Sequence, residues 1–373
     1  MRHSVSILSL VALSMFGGAS SAAAQSDSRW EIEVHGGGAF ERGGTEGLGA
    51  LPAAGEPFTT VTGMPSRRAS SWQFGDGALL LNQINASFNS SLVSGRIASL
   101  DPVLQNTAAR HTSGGSFGFR VARSLTQRFG VEFTLDASQG HTKFTDDARG
   151  GIESTRSSFI SAWNERNGLL ASGLGVVFIN PVVASTATID DGHNRQLFTT
   201  GTLTINLTKP GRIVPYAALG VGGSSNRGEL PRATLASSYR FDSLNIVPGY
   251  FPVNESDTVT IRTVAAHEHP VTFVAGGGVK FHQNKRGGFR ADARAYIDKN
   301  TLDVLVDATP HVNTTSLPLG VIASNLAPSI QFTNLNVLLT STLSAPAING
   351  FKTFASSGTE VHVVVSAGYF FRF

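Results

Sequence analysis

Residues 359–373, TEVHVVVSAGYFFRF, alternate in polarity up to the C-terminus. Odd positions present Val361, Val363, Val365, Ala367, Tyr369, Phe371 and Phe373. Even positions present Glu360, His362, Val364, Ser366, Gly368, Phe370 and Arg372. A period of two with one apolar face marks a strand, because successive side chains leave opposite faces of the pleat. Soluble strands commonly run about 5–6 residues, whereas a tilted strand needs about 9–11 to cross bilayer hydrocarbon. This one is long enough to cross.

The same alternation recurs seven times upstream. RWEIEVHGGGAFE (29–41) sets Trp30, Ile32, Val34 and Phe40 against Glu31, Glu33 and His35. GSFGFRVARSL (115–125) sets Phe117, Phe119, Val121 and Leu125 against Gly118, Arg120 and Ala122. FGVEFTLDAS (129–138) opposes Phe129, Val131, Phe133 and Leu135 to Glu132, Thr134 and Asp136. RQLFTTGTLTINLT (195–208), VTFVAGGGVKFH (271–282) and GFRADARAYID (288–298) follow the same rule. In IVPYAALGVGG (213–223) the assignment places Ala217, Leu219 and Val221 outward, with Tyr216, Ala218, Gly220 and Gly222 inward.

Alternation alone fits a soluble sandwich as well as a membrane barrel; the connections separate them. Strands 2–3, 4–5 and 6–7 are joined by a few residues, near TQ, KPG and QNKR. The other connections run over about 42–113, 140–194, 225–269 and 299–358. Short turns alternating with long loops follow the outer-membrane pattern of short periplasmic turns and longer extracellular loops. Eight strands put both ends on the turn side. The barrel must close, since lipid satisfies no free backbone edge. The expected fold is all-β: a closed antiparallel up-and-down transmembrane barrel of eight strands. A count of ten or twelve would recruit 301–312 and 329–343.

Composition agrees with export and against other classes. Only 15% of residues are charged, Gly numbers 41 of 373, and the net charge is +3 without a Lys/Arg block, which argues against a nucleic-acid partner. Arg2 and His3, an apolar run from Val5 to Phe16 and small residues ending Ala22-Ala23-Ala24 have the form of a cleaved signal peptide over 1–24, leaving 25–373 as the barrel. There is no Cys, hence no lipobox, disulfide or thiolate metal site.

The pairs GGSFGFRVARSLTQRFGVEFTLD, KPGRIVPYAALGVGG and GGFRADARAYI resemble the hairpins of small outer-membrane β-barrel proteins, the group containing the transmembrane domain of outer membrane protein A. The terminal YFFRF, with Tyr369, Phe371 and Phe373 on one face, is similar to the signal by which the barrel-assembly machinery recognises such chains. The resemblance implies location and architecture, with no cofactor and no particular activity.

The inward set comprises Glu31, Glu33, Arg120, Glu132, Asp136, Lys280, Arg290, Asp292, Arg294, Asp298, Glu360 and Arg372. Seven are acidic and five basic. An eight-stranded barrel is just wide enough for side chains to fill it, and unpaired buried charges cost several kcal/mol, roughly, each. The expectation is a salt-bridged plug, with Arg120 diagonal to Glu132 and Asp136, and Lys280 diagonal to Asp292; the alternative is an ion path or proton relay. Within the loops, DTVTIRTVAA (257–266) reads as a continuation of strand 6 above the membrane, and LDVLVDA (302–308) and IQFTNLNVLLTSTL (330–343) look like further strand segments. STRSSFISAWNERNG places Thr155, Phe159 and Trp163 on one helical stripe, with Ser154 as N-cap and Gly168 as stop. A second helix follows Asp76 over 77–88. Loop 60–110 is expected to lie in water and contribute nothing to stability.

Catalytic signals are weak. His267 and His269 flank Glu268 as a metal-ligand pair would, without further ligands at suitable spacing. His35, His282 and His362 fall on the inward face, and no Ser nucleophile motif accompanies them. The functional expectation is a non-enzymatic outer-membrane protein with structural and surface-recognition roles. Its expected partners are outer-membrane lipid, the assembly machinery and an extracellular loop ligand. The alternatives are a narrow pore for small solutes and a lipid-modifying enzyme.

Overall fold

A computed structural model describes residues 30–59, 65–87, 96–173, 177–244, 250–312, 330–334, 337–341 and 347–373. The signal segment 1–24 lies outside them. Eight strands close a barrel: β1 (Trp30–Arg42), β6 (Gly114–Ser124), β7 (Phe129–Ser138), β10 (His193–Asn206), β11 (Ile213–Glu229), β14 (Val271–His282), β15 (Gly287–Asp298) and β20 (Glu360–Arg372). Each pairs antiparallel with the next along the chain, and β20 closes on β1, where Glu31 faces Arg372 and Arg42 faces Val361. The outward stripe is apolar: Phe119, Phe133, Leu203, Leu219 and Phe273 are 40–61% exposed. The inward stripe carries the charges.

The wall does not stop at the rim. A six-stranded sheet continues it in the order β2 (Gly47–Gly49), β19 (Ile348–Ser356), β16 (Leu302–Val312), β13 (Tyr250–Ala265), β12 (Arg232–Leu244) and β9 (Val177–Asp190). These strands stand above β1, β20, β15, β14, β11 and β10 in that order. The two remaining barrel strands are extended by the pair β5 (Ala109–His111) and β8 (Thr142–Phe144). Register carries across the junction: His193 faces Glu229 in the barrel, and Asp190 faces Arg232 above it. The break is local. Gly192, at φ +68°, stands where a Cβ would lie 2.3 Å from the Glu229 carbonyl oxygen, and Pro231 lacks an N–H for the ladder.

Across this break the apolar face reverses. Odd-numbered Leu219 and Val221 of β11 point outward, whereas odd-numbered Ala233 and Leu235 of β12 are fully buried inside. The same exchange occurs between β14 (Val271, Phe273 outward) and β13 (Val259, Ile261 inward). The result is a cap above the barrel with an ordinary apolar core. Phe74, Leu100, Val103 and Leu104 from the first excursion and Ile152 from the long helix Asp146–Gly173 pack on Leu235, Val259, Ile261, Val304 and Val306.

Several loop expectations are corrected here. The first excursion is not simply solvated: Trp72, Leu81, Leu100 and Leu104 are 0% exposed within the cap. The long helix starts at Asp146 rather than beyond Ser154. Thr145 is its cap, with the Ala148 N–H donating to Thr145 Oγ1 at 3.2 Å, a bond that fixes the first turn earlier. It also runs through Gly168 to Gly173, as an internal Gly costs a helix only about 1 kcal/mol. Its stripe Thr155, Phe159, Trp163 is buried. The other helix spans Gly75–Ser87. Residues 330–334 and 337–341 form a separate two-stranded ladder, β17 (Ile330–Asn334) with β18 (Val337–Ser341), that is not part of the barrel. A last small ladder joins β3 (Pro57–Thr59) to β4 (Pro65–Arg67).

Candidate functional site: the charged lumen and its lid

Alternation delivers the charged side chains to a space that water does not reach. Glu31, Glu33, Arg120, Glu132, Asp136, Arg290 and Arg294 are 1–4% exposed, and Lys280, Asp292, Asp298 and Glu360 are 4–6%. Arg372, at the turn end, stays partly open.

Arg290 is the hub. From β15 it reaches Glu31 (Nη2–Oε2 3.2 Å) and Glu33 (Nε–Oε2 3.1 Å) on β1, and Glu132 (Nη1–Oε1 2.8 Å) on β7. Arg294 donates to Glu132 Oε2 at 2.8 Å and to Asp292 Oδ2 at 3.1 Å. Arg120 on β6 donates to Glu33 Oε1 at 2.9 Å and lies 3.1 Å from Asp292 Oδ2. Lys280 and Arg372 both donate to Glu31, at 2.9 Å and, from Nε, 2.7 Å. Asp292 also accepts from Tyr216 (2.6 Å) and Ser366 (2.7 Å). Charge-assisted, forked contacts of this kind are the stronger hydrogen bonds.

The diagonal placement expected within hairpins holds for Arg120, whose Nε lies 3.6 Å from Glu132 Oε2, but does not decide the other partners. Lys280 bonds Glu31 across the lumen rather than Asp292, whose oxygens are taken by Arg120, Arg294, Tyr216 and Ser366. Asp136 is likewise held by His35 (2.7 Å) and by the Tyr296 hydroxyl, not by Arg120. Gly118 makes that contact possible, because a Cβ there would lie 2.0 Å from Asp136 Oδ1 and 2.5 Å from His35 Nε2.

Above the arginines the chemistry changes. Asp298 is satisfied by hydroxyls, Ser224 at 2.6 Å and Thr272 at 2.8 Å. Glu360 lies 3.7 Å from His111, and Glu41 is 2.8 Å from His362. Phe198 and Tyr296 pack beside His362, with ring centroids 4.7 and 6.1 Å from it. His35, Glu41, His111, Tyr216 and Tyr296 were absent from the sequence-derived set. The alternation already placed His35, Tyr216 and Tyr296 inward, but a selection by formal charge passed over His and Tyr; Glu41, at the strand end, was given no face.

Over this layer lies the lid. Asp257 of β13, 0% exposed, accepts from the Trp72 N–H (2.7 Å) and the Ser71 hydroxyl (2.9 Å), tying the first excursion to the sheet. Trp72 Nε1 donates to the Tyr239 hydroxyl at 3.1 Å, Tyr239 bonds Glu255, and Trp163 stacks on Tyr239 at 4.1 Å. Burial pushes the Asp257 carboxyl up to about 7, and burial beside Asp257 raises Glu255 well above the usual carboxylate range.

His267 and His269 sit in an exposed turn, and among the described residues no cluster of three metal-ligating side chains exists. An apolar groove between Phe281, Phe289 and Tyr369 lies on the outer wall, floored by Ala291, Ala367 and Gly368. Tyr369 and Phe371 form an aromatic pair there, centroids 4.8 Å apart, and Phe371 and Phe373 are 60% and 69% exposed.

No protein-family model matches the chain, and no curated protein matches it. Among solved structures it is similar to the outer membrane protein OprG from Pseudomonas aeruginosa, at 10% identity over 94% of this chain and 99% of that one, with a TM-score of 0.34.

Proposed function

We propose that the chain is an integral outer-membrane barrel with a structural and surface-recognition role and no catalytic one, exported by the 1–24 signal. The outward apolar stripe on a closed barrel supports membrane residence, since such a surface is stable only against lipid. The closing short turns face the periplasm and the cap faces outside. Tyr369, Phe371 and Phe373 on the outer face of β20 support recognition by the barrel-assembly machinery. Recognition of an extracellular ligand then falls to the cap, the part that stands in water.

One observation carries the non-conducting reading: the lumen is closed twice, by the Arg120–Arg290–Arg294 network and by the apolar lid core. His35, His111 and His362 are buried, engaged by carboxylates and remote from lipid, which supports the absence of lipid chemistry at the wall. The test is a planar bilayer. Purified mature protein should give no stepwise conductance at neutral pH, and steady unit currents in the wild type would establish the pore reading instead.

A further inference from the structure

On the outer side of β10 and β11, Arg195 and Arg227 stand directly opposite each other, and both are exposed. Like charges directly opposed on one sheet face destabilise the pair. Neither side chain makes a hydrogen bond or ion pair among the described residues. Glu229, two positions beyond Arg227 and opposite His193, forms no ion pair with either. Arg110 opposite Lys143 repeats the arrangement on β5 and β8, again exposed. A third such rung shows how the protein resolves the conflict internally. Arg232 faces Arg262 on β12 and β13, and there Asp307 accepts from Arg262 Nε at 2.6 Å and Nη2 at 3.0 Å. No carboxylate does the same for Arg195 and Arg227.

Their height is informative. Below Arg195 the outward positions of β10 are Leu197, Thr199, Gly201, Leu203 and Ile205, with Leu207 just past its end. Twelve residues separate Arg195 from Leu207, which is roughly 30 Å along the barrel axis for a strand tilted by about 40°. The apolar band of such barrels is about 25 Å tall. The arginine rung therefore sits where hydrocarbon gives way to headgroups. Arg42 and Lys299, also exposed, end the outward stripes of β1 and β15.

We propose that this rim binds phosphate groups of lipid headgroups in the leaflet beneath the cap, with Arg195 and Arg227 sharing one phosphate. The proposal rests on the membrane placement given above. Guanidinium forks match phosphate oxygens two at a time, and a bridging anion turns the opposed charges from a liability into a site.

A double-mutant cycle of Arg195→Gln and Arg227→Gln tests it in the mature protein, refolded into vesicles. One set is digalactosyldiacylglycerol alone, whose sugar headgroup carries no phosphate, one adds phosphatidate, and one adds oleate at equal charge. The readout is the temperature at which heat-modifiable gel mobility is lost. In the phosphate-free galactolipid the double variant should unfold no earlier than wild type, because repulsion is removed. In phosphatidate it should unfold earlier, with a coupling of opposite sign and a shift of about 2 °C or more. Cations elsewhere, such as Lys209 and Arg286 in the turns, respond equally in all variants and cancel in the cycle. The same coupling sign in both lipids overturns the proposal, and oleate acting as well as phosphatidate overturns the phosphate assignment. A wild type that gains no heat-modifiable form in any vesicle overturns the membrane placement itself, a separate result.

Discussion

Replacing Arg290 with Met removes the side chain on which three carboxylates converge, while keeping most of its apolar volume. Glu31, Glu33 and Glu132 lie 3.2, 3.1 and 2.8 Å from its guanidinium, and all are nearly inaccessible to water. Breaking a buried ion pair by removing one partner costs about 3–5 kcal/mol, because the surviving charge is left desolvated. Here each carboxylate keeps another cation: Lys280 and Arg372 for Glu31, Arg120 for Glu33, Arg294 for Glu132. That redundancy places the loss at the lower end, about 3 kcal/mol. At about 2–4 °C per kcal/mol, the unfolding temperature should fall by roughly 6–12 °C. Adding Glu132→Gln restores charge balance and leaves Arg294 with Asp292 and Arg120 with Glu33 and Asp292. The double variant should thus lose at least about 1 kcal/mol less than the two single losses added together. Both can be read from heat-modifiable gel mobility and tryptophan fluorescence in micelles. A single variant within about 2 °C of wild type, or strictly additive losses, would refute a coupled network.

Two further outcomes follow from particular contacts. Gly118→Ala forces Asp136 and His35 apart and should cost about 1–3 kcal/mol; Gly201→Ala, whose Cβ would meet nothing nearer than the Val221 carbonyl oxygen at 3.9 Å, should be tolerated. Equal behaviour of the two would contradict the lumen geometry. In the lid, Asp257 holds its proton in the folded state up to about pH 7 but releases it near 4 when unfolded. The folded state therefore binds the extra proton, so Asp257 is neutral to stability below pH 4 and costs increasingly as pH rises from 4 to 7, by at most about 1.4 kcal/mol per unit. Hydrogen exchange at the Trp72 amide should accelerate across that window beyond the intrinsic base-catalysed rise. Asp257→Asn should abolish the excess, and an excess that persists in the variant assigns it elsewhere.

The eight barrel strands and their inward faces were legible because a period of two survives any detail of packing. Glu33, Arg120 and Arg290 could be placed in the lumen from alternation alone. Their partners could not. A hairpin register relates β14 to β15, but Lys280 crosses to Glu31 on β1, and that distance depends on closure, tilt and side-chain length together. The strand continuation over 257–266 was legible, but the apolar interior of the cap was hidden for a different reason. Val259 and Ile261 continue the alternation of Val271 and Phe273 on odd residues, so the sequence shows one stripe where the molecule has two faces.

That reversal links the two halves of the molecule. In lipid the wall must be apolar outside, which leaves its polar residues facing a narrow lumen, and those charges must then neutralise one another. In water the same wall must be apolar inside, which demands a filling, and the first excursion with the long helix supplies it. A one-residue change of facing converts one requirement into the other without altering the pairing order. Three neighbouring strand pairs make the change together, at Asp191–Gly192, at Leu230–Pro231 and across 266–270. On the proposed membrane placement, their alignment would draw the upper boundary of the lipid belt, with Arg195 and Arg227 on the barrel side of it. The ion-paired lumen is then a consequence of the outer surface: a small barrel with an apolar outer wall turns its polar residues inward, where Glu33, Glu132 and Asp292 meet Arg120, Arg290 and Arg294.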